Sequence, residues 1–342
     1  MLNFKLPSGR RALATVVAAA AICAAPTAQA TLALNAVGMA DGFTLSTFVD
    51  GYSFGGNYGP LAQGILPNGN VITGSVGNGQ IYVFKDVDGQ HLSDALISTP
   101  YVFTTGNPNY AMATAGGQVY GAQLFGGAYE KFDNSGAHVA LTGPISGVTS
   151  FLGMWGVAAG PSAGHFIAAS SSGLIDVDPI TGTFRVVNAG LFPDGVSVSP
   201  DGLTVYVENG GTVQSYNLAT GALIHTFSVG HSPDGTGVIS GGRFNGDVIV
   251  NNNDGTLGLL DPTKADGDPD QYAIIASGGS RGDFTSTDTN NGTLFISQIE
   301  SVLRLGCGPG CAIGATVVPE PSALWTVGLG LAVLAGLRRR RA

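Results

Sequence analysis

Three aspartates carry the most suggestive chemistry in this 342-residue chain. Asp194 and Asp234 each lie inside a Pro-Asp-Gly triplet, Pro193 to Gly195 and Pro233 to Gly235, and Asp283 follows Arg281 and Gly282. Carboxylates gathered at one point repel one another unless a cation neutralises them, and hard oxygen donors of this kind suit Ca²⁺ or Mg²⁺. A Pro-Asp-Gly triplet on its own is equally a turn, with the aspartate capping the next backbone amides. The two readings separate only if the surrounding elements bring the three residues together. Other chemistry is thinner. His91, His138, His165, His225 and His231 show no pairing at metal-ligand spacing. Asp266, Asp268 and Asp270 alternate along a loop without the glycine and distal glutamate of a calcium-binding hand, which reads as a solvated acidic loop. No strand-turn-helix holds a nucleophile elbow. Arg281-Gly282-Asp283 reads as a chance triplet in a chain rich in glycine and aspartate.

The elements that would position these residues are strands. The chain holds 54 Gly and 17 Pro, and only 11% of it is charged, against about 25% in a typical soluble domain. Many short strands joined by tight turns are expected from such a composition. A unit recurs six times. Its second strand reads Asn70–Thr73, Gln118–Gly121, His165–Ala168, Thr204–Val207, Asp247–Val250 and Thr293–Ile296. Its third reads Gln80–Phe84, Ala128–Phe132, Leu174–Val177, Thr212–Tyr216, Thr256–Leu260 and Ser301–Leu305. Period-two alternation of β-branched and aromatic residues marks them as strands. Hairpin corners follow at Asp86, Asp133, Asp178, Asn217 and Asp261, spaced 47, 45, 39 and 44 residues apart. Fourth strands come next in five units. The sixth has none after Leu305, and Gly42–Val49 supplies one from the other end. That arrangement predicts an all-β, six-bladed β-propeller closed by an N-terminal strand, with seven blades as the alternative count.

The segment Pro193-Asp-Gly-Val-Ser-Val-Ser-Pro-Asp-Gly-Leu-Thr-Val-Tyr-Val207 resembles the strand pair of six-bladed propellers of the NHL-repeat, gluconolactonase-like and YVTN-type families. The likeness spans most of residues 43–305 and bears on fold more than on activity. Aligning the units on their glycines places Leu61, Asn109, Trp155, Asp194, Asp234 and Asp283 at one level, where the innermost strands begin. The expected metal ligands are then Asp194, Asp234, Asp283 and Asn109, around Ca²⁺ or Mg²⁺ in the central channel. Gluconolactonase-like enzymes use a channel metal to polarise a lactone carbonyl, and the resemblance implies that Asp234 corresponds to their metal-binding aspartate. Their blade-one glutamate is missing; the matching segment offers only Gln63. Trp155 and Tyr110 are placed near the channel mouth, where aromatic faces can stack on a sugar ring.

Both ends carry targeting segments. Lys5, Arg10 and Arg11 precede the apolar stretch Ala12 to Ala25, and Ala28-Gln29-Ala30 gives a small-x-small cleavage pattern, so residues 1–30 read as a signal peptide cut after Ala30. The last 25 residues, 318–342, contain Pro319-Glu320-Pro321, an apolar run over 323–337 and Arg338, Arg339, Arg340 and Arg341. This tail resembles the PEP-CTERM sorting signal. The resemblance implies an exosortase-type membrane protease as partner, a Gram-negative bacterium, transient anchoring in the membrane through the C-terminal helix, and release to or attachment at the cell surface. Residues 31–317 form the propeller domain. They hold 22 of the 23 acidic residues and seven of the 14 basic ones, a net charge of −15. Such a surface repels nucleic acid. Cys307 and Cys311 remain after the signal peptide is removed, and in an oxidising compartment they are the candidate disulfide pair. The chain as a whole reads as an exported binding or interaction module with surface polysaccharide as partner. A divalent-metal-dependent lactonase-type hydrolase and a structural surface protein are the competing readings.

Overall fold

The computed structural model describes residues 31–53, 58–100 and 109–307, and these form six blades of four antiparallel strands around one axis. Two of the blades gain a short outer strand: Ala33–Leu34 antiparallel to Tyr272–Ser277, and Gln90–His91 parallel to Phe43–Asp50. From the axis outward, blade one is built from Pro60–Ile65, Val71–Ser75, Gln80–Phe84 and Ile97–Pro100. Blade two is Asn109–Ala115, Gln118–Gln123, Tyr129–Phe132 and His138–Thr142, and blade three Phe151–Gly156, Phe166–Ser170, Gly173–Val177 and Phe184–Asn188. Blade four is Val196–Val198, Thr204–Asn209, Thr212–Asn217 and Leu223–Phe227, and blade five Pro233–Val238, Val248–Asn252, Leu257–Leu260 and Tyr272–Ser277. Blade six is Gly282–Asp288, Thr293–Gln298 and Ser301–Cys307, completed by Phe43–Asp50 from the start of the chain.

That last strand closes the ring. Phe43 pairs with Cys307, Leu45 with Leu305 and Val49 with Val302, all antiparallel. A bulge between Thr47 and Val49 turns both Phe48 and Val49 inward, so strict alternation is broken where closure needs most apolar surface. Closure leaves no open sheet edge between the two ends of the domain, which explains why the sixth unit lacks a fourth strand in sequence.

Burial follows from the blade geometry. An innermost strand has a neighbouring blade on each face, so Pro60–Ile65 and Pro233–Val238 are buried at every position. The outermost strand of blade two, His138–Thr142, is mostly exposed. The corners predicted at Asp133, Asp178, Asn217 and Asp261 form as hairpins, whereas after Asp86 the chain first adds Gln90–His91 to the closing strand of blade six and only then returns at Ile97–Pro100. Asp133 accepts from the amides of Ser135 and Ala137, Asp178 from that of Ile180, Asn217 from that of Thr220 and Asp261 from that of Thr263. Asp86 differs: its carboxylate binds Arg304 and Asn290 instead. Cys307 is disulfide-bonded, while Cys311, Ala30 and the sorting residues from Pro319 to Arg341 lie outside the described residues. Among the described residues no helix is long and apolar enough to cross a membrane.

Candidate functional site: the two mouths of the axial channel

Residues at the starts of the innermost strands gather at one mouth of the channel. Asp194 precedes Val196–Val198, and Asp234 and Asp283 are the second residues of their strands. The structure therefore brings these three predicted residues together, while the side chain of Asn109 lies outside the described part. Asp234 and Gly235 lie inside the strand Pro233–Val238, and neither Gly195 nor Gly235 has a positive φ, so neither glycine serves as a left-handed turn position. Their role is close approach. A Cβ on Gly195 would lie 2.5 Å from the carbonyl oxygen of Asp234, and one on Gly235 would overlap that of Asp283. Gly153 meets the carbonyl of Asp194 in the same way. Each glycine thus lets one inner strand press on the next, stepping around the axis. By contrast, Pro200-Asp201-Gly202 is a turn, with Gly202 at φ 72° and Asp201 accepting from the amide of Leu203.

The same rule corrects the placement of Trp155. The residue equivalent to Asp194 in blade three is Leu152, before Gly153, and not Trp155, before Gly156. Trp155 is the fifth residue of its strand and lies toward the opposite mouth. Gln63 is also displaced from the aspartate level. It is almost fully buried, donates to the Pro60 carbonyl at 2.5 Å and to Ser297 Oγ at 3.1 Å, and accepts from Ser286 Oγ at 3.3 Å. With Leu61, Tyr110 and Phe284 packed together nearby, it plugs the channel between the mouths. The cavities beside that plug hold only about 10 Å³ each.

The acidic mouth contains a residue that sequence reasoning set aside. Arg281 Nη2 lies 3.0 Å from Asp234 Oδ2 and 3.7 Å from Asp283 Oδ2. Its Nε donates to Asn253 Oδ1 at 2.5 Å, and its guanidinium lies 5.0 Å from the ring centre of Tyr58. Tyr58 in turn meets Tyr110 edge-on, and Tyr110 meets Phe284. Burial, reinforced by the charge of Asp234, pushes the Asp194 carboxyl up to about 8. Burial and then the charges of Asp234 and Asp194 push Asp283 well above the usual carboxylate range, against the opposing pull of Arg281. Burial also raises Glu208, which faces Asp194 and Asp234. Asp194 Oδ1 and Asp283 Oδ1 are buried without a hydrogen-bond partner.

These residues do not fit a divalent cation held between the carboxylates. The inward oxygens of Asp234 and Asp283 already share a guanidinium, the blade-one position supplies a leucine and a buried amide, and no group of three His, Cys, Asp or Glu among the described residues is arranged to hold a metal.

The opposite mouth is different in kind. The ends of the innermost strands of five blades line a cavity of about 370 Å³, through Thr114, Trp155, Val198, Val238 and Thr287. Ser240, Thr289 and Asn290 join them, and no Asp, Glu, Lys, Arg or His lines it. The hydroxyls of Ser240, Thr287 and Thr289 find no hydrogen-bond partner among the described residues.

Comparison with known proteins agrees with the fold and the tail. Residues 317–341 match the PEP-CTERM protein-sorting motif, so the chain carries a signal for export and for membrane-anchored sorting, processed by an exosortase, a membrane protease. No curated protein matches the chain. Among solved structures, a gluconolactonase from Xanthomonas campestris aligns with a TM-score of 0.56 at 15% identity, covering 81% of this chain and 95% of that one. A structural-genomics target described as a candidate gluconolactonase aligns at 0.57 and 14% identity, covering 83% of this chain and 99% of that one. At such identities the likeness is one of fold.

Proposed function

We propose that the protein, with its signal peptide cut after Ala30, is a surface-placed binding module that takes a neutral, hydroxyl-rich ligand at the axial cavity, in the form of a saccharide segment of an extracellular polymer. The observation that carries this reading is the cavity's lining. It combines the indole of Trp155, apolar walls from Val198 and Val238, and three hydroxyls without partners, with no ionisable group. About 370 Å³ lies within the range of small-molecule sites, roughly 300–1,000 Å³. A charged ligand would enter without a counterion and lose its hydration uncompensated, whereas sugar hydroxyls can pair with Ser240, Thr287 and Thr289. Export through the sorting tail supplies the setting in which such polymers occur.

Trp155 is one of two tryptophans in the sequence, the other being Trp325, so indole fluorescence reports on the cavity. Titration with neutral oligosaccharides should give a saturable change. Thr287→Val, which keeps the shape and removes one hydroxyl, should weaken binding about fivefold, the equivalent of one net hydrogen bond of about 1 kcal/mol. Absence of saturable binding by any neutral saccharide, or binding indifferent to Thr287→Val and to Ser240→Ala, refutes the reading.

A further inference from the structure

We propose that Arg281 is the resident cation of the acidic mouth: its guanidinium occupies the place where a carboxylate-lined channel would hold a divalent ion, and its removal opens a latent cation site. The charged groups that meet there are Asp194 at the entrance of blade four, Glu208 from its second strand, Asp234 of blade five, and Asp283 with Arg281 itself from blade six. One nitrogen of Arg281 reaches both Asp234 and Asp283, and Nε is fixed by Asn253. The side chain is thus held by blade five from two directions. Tyr58 covers its outer face. Asp234 Oδ2 and Asp283 Oδ2 are therefore available to a divalent ion only once this group is displaced.

Two observations point to a latent site rather than to a surface ion pair. Asp283 is 4% exposed, and its Oδ1 has no hydrogen-bond partner, as is also true of Asp194 Oδ1. Buried carboxylate oxygens without donors are unusual, and they are the kind of donor that calcium accepts. The chain also repeats the device. At the seam between blades six and one, Arg304 is 8% exposed and binds Asp86, Asp88 at 3.1 Å and Asp288 at 3.2 Å. There too an acidic cluster is organised around an internal guanidinium.

The experiment is thermal melting of the full-length protein and of Arg281→Gln in chelator and in millimolar Ca²⁺ or Mg²⁺, with calcium affinity measured by calorimetry. The wild type should melt at the same temperature in both conditions. Arg281→Gln should melt lower in chelator, recover with Ca²⁺, and bind one Ca²⁺ at least tenfold more tightly than the wild type. Adding Asp283→Asn to that variant should abolish the gain. A wild-type midpoint that falls in chelator and returns with Ca²⁺ overturns the proposal. So does a folded Arg281→Gln protein no more responsive to Ca²⁺ than the wild type. If Arg281→Gln folds only with Ca²⁺ present, the proposal stands. If it folds in neither condition while Arg281→Gln with Asp283→Asn folds, calcium failed to replace the guanidinium and the proposal falls. A calcium-dependent wild-type midpoint overturns the proposal whatever the variants do.

Discussion

Ring closure can be tested at one side chain. Phe48 is fully buried on the N-terminal closing strand, with its ring 5.0 Å from that of Phe295 and 6.0 Å from that of Phe84. The Arg304 guanidinium lies 5.0 Å from its centre. Phe295 belongs to blade six and Phe84 to blade one, so Phe48 joins the last blade to the first. Phe48→Ala removes a buried aromatic, a change that typically costs 3–5 kcal/mol, and the ring pairs add about 0.5–1.5 kcal/mol. Taking about 4 kcal/mol and roughly 2–4 °C per kcal/mol for a domain of this size, the midpoint should fall by about 10 °C. Thr44→Ala, at an exposed position of the same strand, should stay within about 0.5 kcal/mol of wild type. Differential scanning calorimetry on the two variants settles the matter. A Phe48→Ala shift as small as that of Thr44→Ala would mean that the strand does not dock in blade six, and the closed six-bladed ring would be wrong.

Two further outcomes follow from the geometry. Gly195→Ala should destabilise by about 1–3 kcal/mol through overpacking, because its new Cβ must move away from the Asp234 carbonyl at 2.5 Å; a neutral result in urea unfolding would remove the close-approach explanation of the Pro-Asp-Gly triplets. Stability should also fall between pH 4 and pH 8. Burial, and then the charge of Asp261, holds the Asp247 carboxyl up to about 7, and burial, then Asp86, holds Asp288 up to about 6. A carboxyl whose folded value is raised contributes stability that is complete below its unfolded value and lost as pH rises through the folded one. Asp247→Asn should flatten that decline in melting curves taken across the range, and an unchanged slope would contradict the assigned cause.

The strands were readable because each needs only its own residues: Thr293–Gln298 carries the apolar run Leu294–Ile296, with aromatic Phe295 and β-branched Ile296, and contains the predicted Thr293–Ile296, and Ser301–Cys307 extends the predicted Ser301–Leu305 by two residues. The corners were readable for the same reason, since Asp133 and Asp178 cap amides two to four residues away. Level along the axis was less legible. Blade three offers two glycines, Gly153 and Gly156, and only packing against Asp194 shows which of them faces the next blade. The role of Arg281 was hidden altogether. Its principal partner, Asp234, is 47 positions away on a different blade, and nothing local distinguishes a charged residue that faces solvent from one that turns inward. A weak signal was available: Arg281 and Asp283 are two apart at a strand entrance, a spacing that puts both side chains on one face.

A domain with 22 acids and seven bases must place its few cations with care, and the arginines go to the seams. Arg185 of blade three binds Asp176 and donates to the carbonyls of Leu218 and Ala219 at a corner of blade four. Arg243, after the inner strand of blade five, holds Asp41 at the entrance of the closing strand. Arg281 joins blade six to blade five, and Arg304 joins it to the loop after Phe84 of blade one. All four arginines of residues 31–317 therefore tie together segments that meet only when the ring is assembled, whereas Lys85, Lys131 and Lys264 make no ion pair among the described residues. The planar guanidinium explains the division of labour: it offers five donors in a fixed fork and can serve a carboxylate and a carbonyl at once, which a single ammonium does less well. The pairs of Arg281 and Arg304, with their buried carboxylates, gain little net energy once desolvation is counted, while Arg185 and Arg243 are exposed. The effect of the first two is on partner choice, because blade six docked against the wrong neighbours would leave Arg281 or Arg304 and the carboxylates of Asp283 and Asp288 without their partners in a buried place.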